Sequence, residues 1–116
     1  MSEQPQSLDG PDLWQSVSRL HAWLEADQPY DGQEGLFLRM LKLQEEVGEV
    51  AQAVIGATGQ NPRKGTTHTW DDVQAELCDV VITALVALRT LTPDARAVFA
   101  GHLAQVTERS LGARRG

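Results

Sequence analysis

Apolar residues recur along most of the chain at alternating spacings of three and four, which is the period of an amphipathic helix. Three turn-forming stretches interrupt the pattern: DQPYDGQEG, TGQNPRKGTTHT and Thr92–Pro93–Asp94. Such stretches, rich in glycine and proline, mark loops. We therefore predict an all-α fold, a bundle of four to five helices. A single domain over residues 9–111 accounts for the pattern, with a flexible segment at 1–8 and a flexible basic tail at 112–116.

The two helical segments in the middle of the chain are predicted to be the longest. One runs from about Glu34 to Ala57 with a heptad-like apolar stripe, and the other begins after a capping Thr69 and ends near Leu91. Both also carry apolar residues outside a single stripe, which is typical of helices covered on more than one face. We therefore expect the bundle to form oligomers through its apolar helix faces.

Two acidic clusters lie within these hydrophobic helices: Glu45, Glu46 and Glu49 in the first, and Glu76 and Asp79 in the second. Carboxylates three residues apart lie on one side of a helix, one turn apart. The second cluster forms a narrow polar wedge on a helix that is otherwise apolar. Burying a carboxylate without compensation costs on the order of several kcal/mol, so these groups must be paired, protonated or bound to a metal.

An all-carboxylate site favours Mg²⁺, with Mn²⁺ as the alternative, over zinc or iron. A ferritin-like di-iron site needs Glu-x-x-His motifs, and His21, His68 and His102 are not placed to supply them. The sequence contains no P-loop and no nucleophile elbow, so nucleophilic catalysis by a side chain lacks support. For the 45–49 cluster taken alone, a solvated helix face paired with Lys42 is the simpler explanation. The second cluster shifts the interpretation towards a metal.

The two clusters, read as Glu-Glu-x-x-Glu, a spacer of 26 residues and Glu-x-x-Asp, resemble the signature of the MazG-like all-α nucleoside triphosphate pyrophosphohydrolases. The resemblance extends from about Leu36 to Leu91. It implies a Mg²⁺ site formed by four carboxylates: Glu46, Glu49, Glu76 and Asp79. Glu45 would be either a residue behind these ligands or the base for the attacking water.

The same resemblance implies the reaction. A nucleoside triphosphate would be hydrolysed between its α- and β-phosphates to a monophosphate and pyrophosphate, in nucleotide-pool housekeeping, by a homodimer or homotetramer. A metal that orients and neutralises the phosphates, with a carboxylate that takes the proton of water, is suited to this chemistry. The alternative from another class is a noncatalytic helical dimerisation or regulatory module that binds a metal or nucleotide.

Other residues are candidates for substrate contacts. Members of this family often carry basic residues in a later helix that contact phosphates, and Arg109 is the clear candidate here. The loop residues Arg63 and Lys64 could contact the phosphates, Arg63 through paired donors of its planar guanidinium and Lys64 through the compact charge of its ammonium. Alternatively, both side chains are simply solvated. Trp14 and Trp23 offer rings for stacking on a base, although rings that extend the apolar face of the first helix are the simpler interpretation.

Composition narrows the class of protein. The chain has 116 residues, a net charge of −6 and one cysteine. An acidic protein is not expected to bind polymeric nucleic acid nonspecifically. A lone cysteine forms no intramolecular disulfide, and Cys78 suits a small core residue. Neither a signal peptide nor an apolar run of membrane-spanning length is recognisable, so we expect a cytoplasmic protein with no membrane contact.

Overall fold

The computed structural model describes residues 11–27 and 32–112 of the chain. Within these ranges the backbone forms no strand, which confirms the all-α prediction, and it forms four helices: α1 (Pro11–Asp27), α2 (Gly32–Thr58), α3 (Trp70–Leu91) and α4 (Ala95–Leu111). The segment predicted to be flexible at 1–8 and nearly all of the basic tail lie outside the described residues.

A capping box fixes the start of α3. The backbone N–H of Asp72 donates to the Thr69 hydroxyl at 3.2 Å, and the Thr69 N–H donates to the Asp72 carboxylate at 2.9 Å. The predicted cap at Thr69 is therefore confirmed. A reciprocal cap satisfies two backbone donors that the helix itself leaves without partners. It also fixes the register of α3, and with it the position of Glu76 one turn further on.

Helix α3 is central to the fold, because it packs against α2 most extensively and also contacts α1 and α4. The two long helices are antiparallel: Arg39 of α2 reaches Thr90 near the end of α3, whereas the backbone carbonyl of Gly56 accepts a hydrogen bond from Thr67, just before α3. This arrangement brings the middle of α2, where the first acidic cluster lies, alongside the middle of α3.

The hydrophobic core is small. Buried Val17, Leu85 and Val86 form its centre, and Leu13, Trp14 and Leu24 pack around them. Large apolar side chains on the other sides of α2 and α3 stay exposed, among them Leu41 (65%), Val81 (55%) and Leu77 (50%). In the single chain, α1, α2 and α4 therefore leave part of the surface of α3 uncovered.

Cys78 is exposed, so its prediction as a core residue is wrong. It neighbours Leu77 on α3, which is also half-exposed. An apolar residue type indicates burial only when another element covers that face of the helix, and helix periodicity alone does not specify which face is covered.

A hydrogen-bonded cluster joins three helices. The Arg39 guanidinium on α2 donates to Glu25 of α1 at 2.7 Å and to the Thr90 hydroxyl of α3 at 3.2 Å. His21, one turn before Glu25, places its Nε2 3.3 Å from the same carboxylate oxygen. The hydrogen bond from Arg39 lowers the pKa of Glu25. Burial, together with the positive charge of Arg89, lowers the pKa of His21.

Candidate metal site

The acidic clusters of α2 and α3 meet across the interface between the two helices. Carboxylate oxygens of Glu46, Glu76 and Asp79 lie within 4.8 Å of one another. Oxygens of Glu45, Glu46 and Glu49 also lie within 4.8 Å of one another. Glu46 belongs to both groups. Three of the four carboxylates in the predicted ligand set therefore converge directly, and Glu49 lies beside both Glu46 and Glu76.

The surroundings of these groups make a negative charge costly. Glu46 is only 8% exposed, and it is the one buried charged residue in the described part of the chain. Oxygen Oε2 of Glu76 is buried and has no hydrogen-bond partner. Desolvation raises the pKa of Glu76, and the neighbouring Glu49, Asp79 and Glu46 carboxylates add to the rise. Removal from water and repulsion between like charges both favour the protonated form of a carboxyl group.

The arrangement fits a hard divalent cation. Oxygens bound to one Mg²⁺ lie about 2.1 Å from it, so neighbouring ligands are separated by about 3 Å and opposite ones by about 4.2 Å. Oxygens that already lie within 4.8 Å of one another need only a small closure to reach this geometry. The buried Glu76 oxygen without a partner gives an independent reason, because buried polar atoms otherwise pair almost without exception. The donor set contains only carboxylate oxygens, which suit magnesium, manganese or calcium rather than zinc.

Lys42 supplies the cation that pairs with this cluster. Its ammonium donates to Glu45 at 2.5 Å and lies 3.5 Å from Glu46. The hydrogen bond to Glu45 raises the pKa of Lys42. Across residues 11–27 and 32–112, no Lys, Arg or His forms an ion pair with Glu49, Glu76 or Asp79. The pairing with Lys42 that the sequence offered as an alternative therefore exists, but it accounts for one edge of the cluster only.

The loop pair predicted to contact phosphates lies beyond the cluster, at the end of α2. Lys64 borders a polar pocket of 280 Å³ with Gln52, Gly56 and His68, and the Arg63 N–H donates to the side chain of Asn61. Gly56 follows Glu49 by seven residues, which is about 10 Å along a helix. A side chain at Gly56 would collide with the His68 ring and the Thr67 hydroxyl, so glycine allows the loop to lie close against α2.

The remaining candidates lie on other helices. Trp14 packs its ring against Phe99 of α4, with centroids 6.1 Å apart, in agreement with the interpretation of this ring as part of the apolar face. Trp23 is exposed on α1. Arg109 is exposed in the last turn of α4.

A second cavity, which the sequence analysis missed, adjoins the acidic cluster on the side away from the loop. Its volume is 370 Å³, and α1, α2 and α3 line it mainly with aliphatic side chains: Leu20, Leu24, Leu38, Ile82 and Val86. Arg39, Lys42 and Thr83 form its polar edge. Lys42 and Thr83 stand one turn from Glu46 and Asp79 on the same helix sides, and that spacing was the signal available in the sequence.

Comparison with known proteins found no matching family model, no matching curated protein and no matching solved structure. The resemblance to the MazG-like enzymes therefore rests on the two acidic motifs. Among the described helices, none combines the length and apolar character needed to cross a membrane.

Proposed function

We propose that this chain is a Mg²⁺-dependent nucleoside triphosphate pyrophosphohydrolase of MazG-like type, acting in nucleotide-pool housekeeping. The observation that carries the proposal is the convergence of Glu46, Glu76 and Asp79, with one buried Glu76 oxygen left without a partner. An ion-pair network that only stabilised the fold would provide the buried Oε2 of Glu76 with a basic partner, and no described residue forms an ion pair with Glu76. In this cluster Lys42 pairs only with Glu45 and Glu46.

Each carboxylate has a role in the proposed reaction. Glu46, Glu49, Glu76 and Asp79 hold the metal. When bound there, the ion would neutralise the phosphate oxygens and orient the triphosphate, so that water could attack one of the two phosphorus atoms of the α–β anhydride and break its bond to the bridging oxygen. Glu45, which is exposed beside Glu46 and close to the ligand set, would accept the proton of that water. Mn²⁺ would be the alternative ion in this role, since both favour oxygen ligands.

We further propose that the working form is a homodimer or homotetramer. The chain has a radius of gyration of 17.9 Å, whereas a compact domain of 100 residues has one of about 13 Å. Several large apolar side chains of α2 and α3 are exposed in the single chain. Adjacent apolar side chains of this kind are a common feature of subunit interfaces.

The direct test is pyrophosphate release from a panel of ribo- and deoxyribonucleoside triphosphates, with Mg²⁺ and with a chelator. We expect release from at least one triphosphate and its loss when the metal is removed. Mg²⁺ binding without turnover of any triphosphate would support the noncatalytic regulatory module instead. Turnover that is unchanged in the chelator would contradict the metal mechanism.

A further inference from the structure

Lys42 stands between the acidic cluster and the aliphatic cavity. On one side its ammonium contacts Glu45 at 2.5 Å and Glu46 at 3.5 Å. On the other side the residue forms part of the polar edge of the 370 Å³ cavity. It therefore borders both the proposed metal ligands and the open space beside them.

An ion pair between residues three apart on a helix is by itself an ordinary surface feature. Two observations set this one apart. The second carboxylate that Lys42 contacts, Glu46, is nearly buried and belongs to the group that converges with α3. In addition, no other described cation pairs with any member of the cluster.

A divalent cation bound at Glu46 would change the position that Lys42 prefers. The ion and the ammonium carry like charges and compete for the same carboxylate oxygens, so the ion weakens the hold of Glu46 on the lysine. The Lys42 side chain is 55% exposed, and its flexible stem allows the ammonium to turn without disturbing the fold. An ammonium has three donors and no acceptor, so an anionic oxygen of a ligand bound beside it is a strong alternative partner.

We propose that Lys42 pairs with Glu45 and Glu46 in the metal-free protein and moves to the triphosphate when metal and nucleotide bind. This inference rests on the proposed function. It assigns a phosphate-binding residue at the edge of the cluster, at the opposite end from Arg63 and Lys64. The move would also release Glu45 to accept a proton from water. Lys42 would thus couple occupancy of the site to activation of the base.

The first arm of the test measures the metal alone. Mn²⁺ is titrated into the wild type and Lys42→Met, and the free ion is followed by electron paramagnetic resonance. We expect Lys42→Met to bind Mn²⁺ about fivefold more tightly, since a competing positive charge is removed. Arg96→Met, which removes an equal charge from an exposed position on α4, should bind Mn²⁺ as the wild type does. Far-ultraviolet circular dichroism confirms that each variant remains helical.

The second arm measures the nucleotide. A triphosphate analogue with a nonhydrolysable α,β-imido bridge is titrated in saturating Mg²⁺ by calorimetry. We expect Lys42→Met to bind the analogue about tenfold more weakly, because a charge-assisted hydrogen bond to phosphate is lost. Lys42→Arg, which keeps the charge, should recover most of the affinity.

The two arms together give opposite shifts for one substitution, tighter metal and weaker nucleotide. An unchanged or weaker affinity for Mn²⁺ in Lys42→Met would overturn the competition with metal. An unchanged affinity for the analogue would overturn the contact with phosphate. A wild type that binds neither Mn²⁺ nor the analogue would instead remove the proposed function, and this inference with it.

Discussion

A carboxylate oxygen of Glu46 on α2 and one of Asp79 on α3 lie within 4.8 Å of each other, although Glu46 is nearly buried and Asp79 is exposed. Two negative charges this close repel strongly unless a cation lies between or beside them. The antiparallel packing of α2 and α3 holds both residues in place. This relationship is the basis for the proposed metal site.

Asp79→Asn should reduce metal affinity and turnover by about 100-fold or more while leaving the helical content unchanged. Loss of residues that only support metal ligands typically costs 10- to 100-fold, and a ligand should cost at least as much. Asp79 is exposed, so the substitution leaves the core intact. Calorimetric titration with Mn²⁺ and a pyrophosphate-release assay measure the two effects.

Asp71→Asn is the matched control, because Asp71 is an exposed acidic residue in the first turn of the same helix. It should keep both metal affinity and rate. If both variants lost metal affinity and rate equally, the cause would be the removal of a negative charge from α3 in general, and not the removal of a metal ligand.

Glu76→Gln should raise the unfolding temperature of the metal-free protein. The substitution removes a charge that desolvation and three neighbouring carboxylates disfavour, and the new amide can donate a hydrogen bond to Glu49. In saturating Mg²⁺ the wild type should instead have the higher unfolding temperature, because the metal stabilises it by binding the folded state and stabilises the variant less. Differential scanning calorimetry with and without Mg²⁺ measures the unfolding temperatures of both proteins. A variant that is less stable than the wild type without metal would contradict the inferred repulsion.

The free energy of unfolding should fall as the pH drops below about 6.5, and His21 should contribute to the fall. Burial and Arg89 lower the pKa of His21 from its ordinary value of 6.5. The folded state therefore favours the neutral ring, and this contribution is complete above the unfolded pKa and is lost as the pH falls through the folded pKa. Urea denaturation of the wild type and His21→Gln between pH 8 and 5 measures it. The dependence should be weaker in the variant, and identical slopes would rule out His21 as its source.

Glu25 should add a second fall at lower pH. The Arg39 hydrogen bond lowers the pKa of Glu25 from 4.5, so its contribution is present above that value and disappears as the pH falls through the folded pKa. Glu25→Gln should weaken the dependence of stability on pH in this lower range, and it should enlarge the part due to His21, because the Glu25 carboxylate raises the pKa of His21. The same denaturation series, extended to pH 3, separates the two contributions.

Leu41→Glu should reduce the oligomeric mass in solution. Leu41 is 65% exposed in the single chain, so a charge there should leave the monomer folded but disfavour an apolar interface. Gln15→Glu introduces the same charge at an exposed position on α1 and should keep the wild-type mass. Light scattering coupled to size-exclusion chromatography measures the mass. A wild type that is already monomeric would refute the proposed assembly.

The sequence predicted the helices well because their signals are local. The Thr69 cap, the glycine- and proline-rich loop before it and the apolar periods depend on neighbours within a few residues. The pairing of the two acidic motifs could also be anticipated, since residues three apart share a helix side and antiparallel helices bring such sides together.

The sequence could not predict the features that depend on which face of a helix is covered by the neighbouring helices. The exposure of Cys78 and Val81 depends on how far α1 and α4 extend over α3. The contact of Arg39 with both Glu25 and Thr90 requires that α1, α2 and α3 come together at this point. The aliphatic cavity arises from the same packing: the sequence spacing places Lys42 and Thr83 beside the acidic cluster, but it does not show that the three helices leave a space there.

The central claim is that a metal held by Glu46, Glu49, Glu76 and Asp79 directs cleavage between the α- and β-phosphates. Phosphorus nuclear magnetic resonance of a triphosphate incubated with the wild type and Mg²⁺ tests it most directly, with Asp79→Asn as the inactive comparison. Signals of a nucleoside monophosphate and of pyrophosphate should appear together, only with metal and only with the wild type. A diphosphate with inorganic phosphate, or equal product from Asp79→Asn, would contradict it.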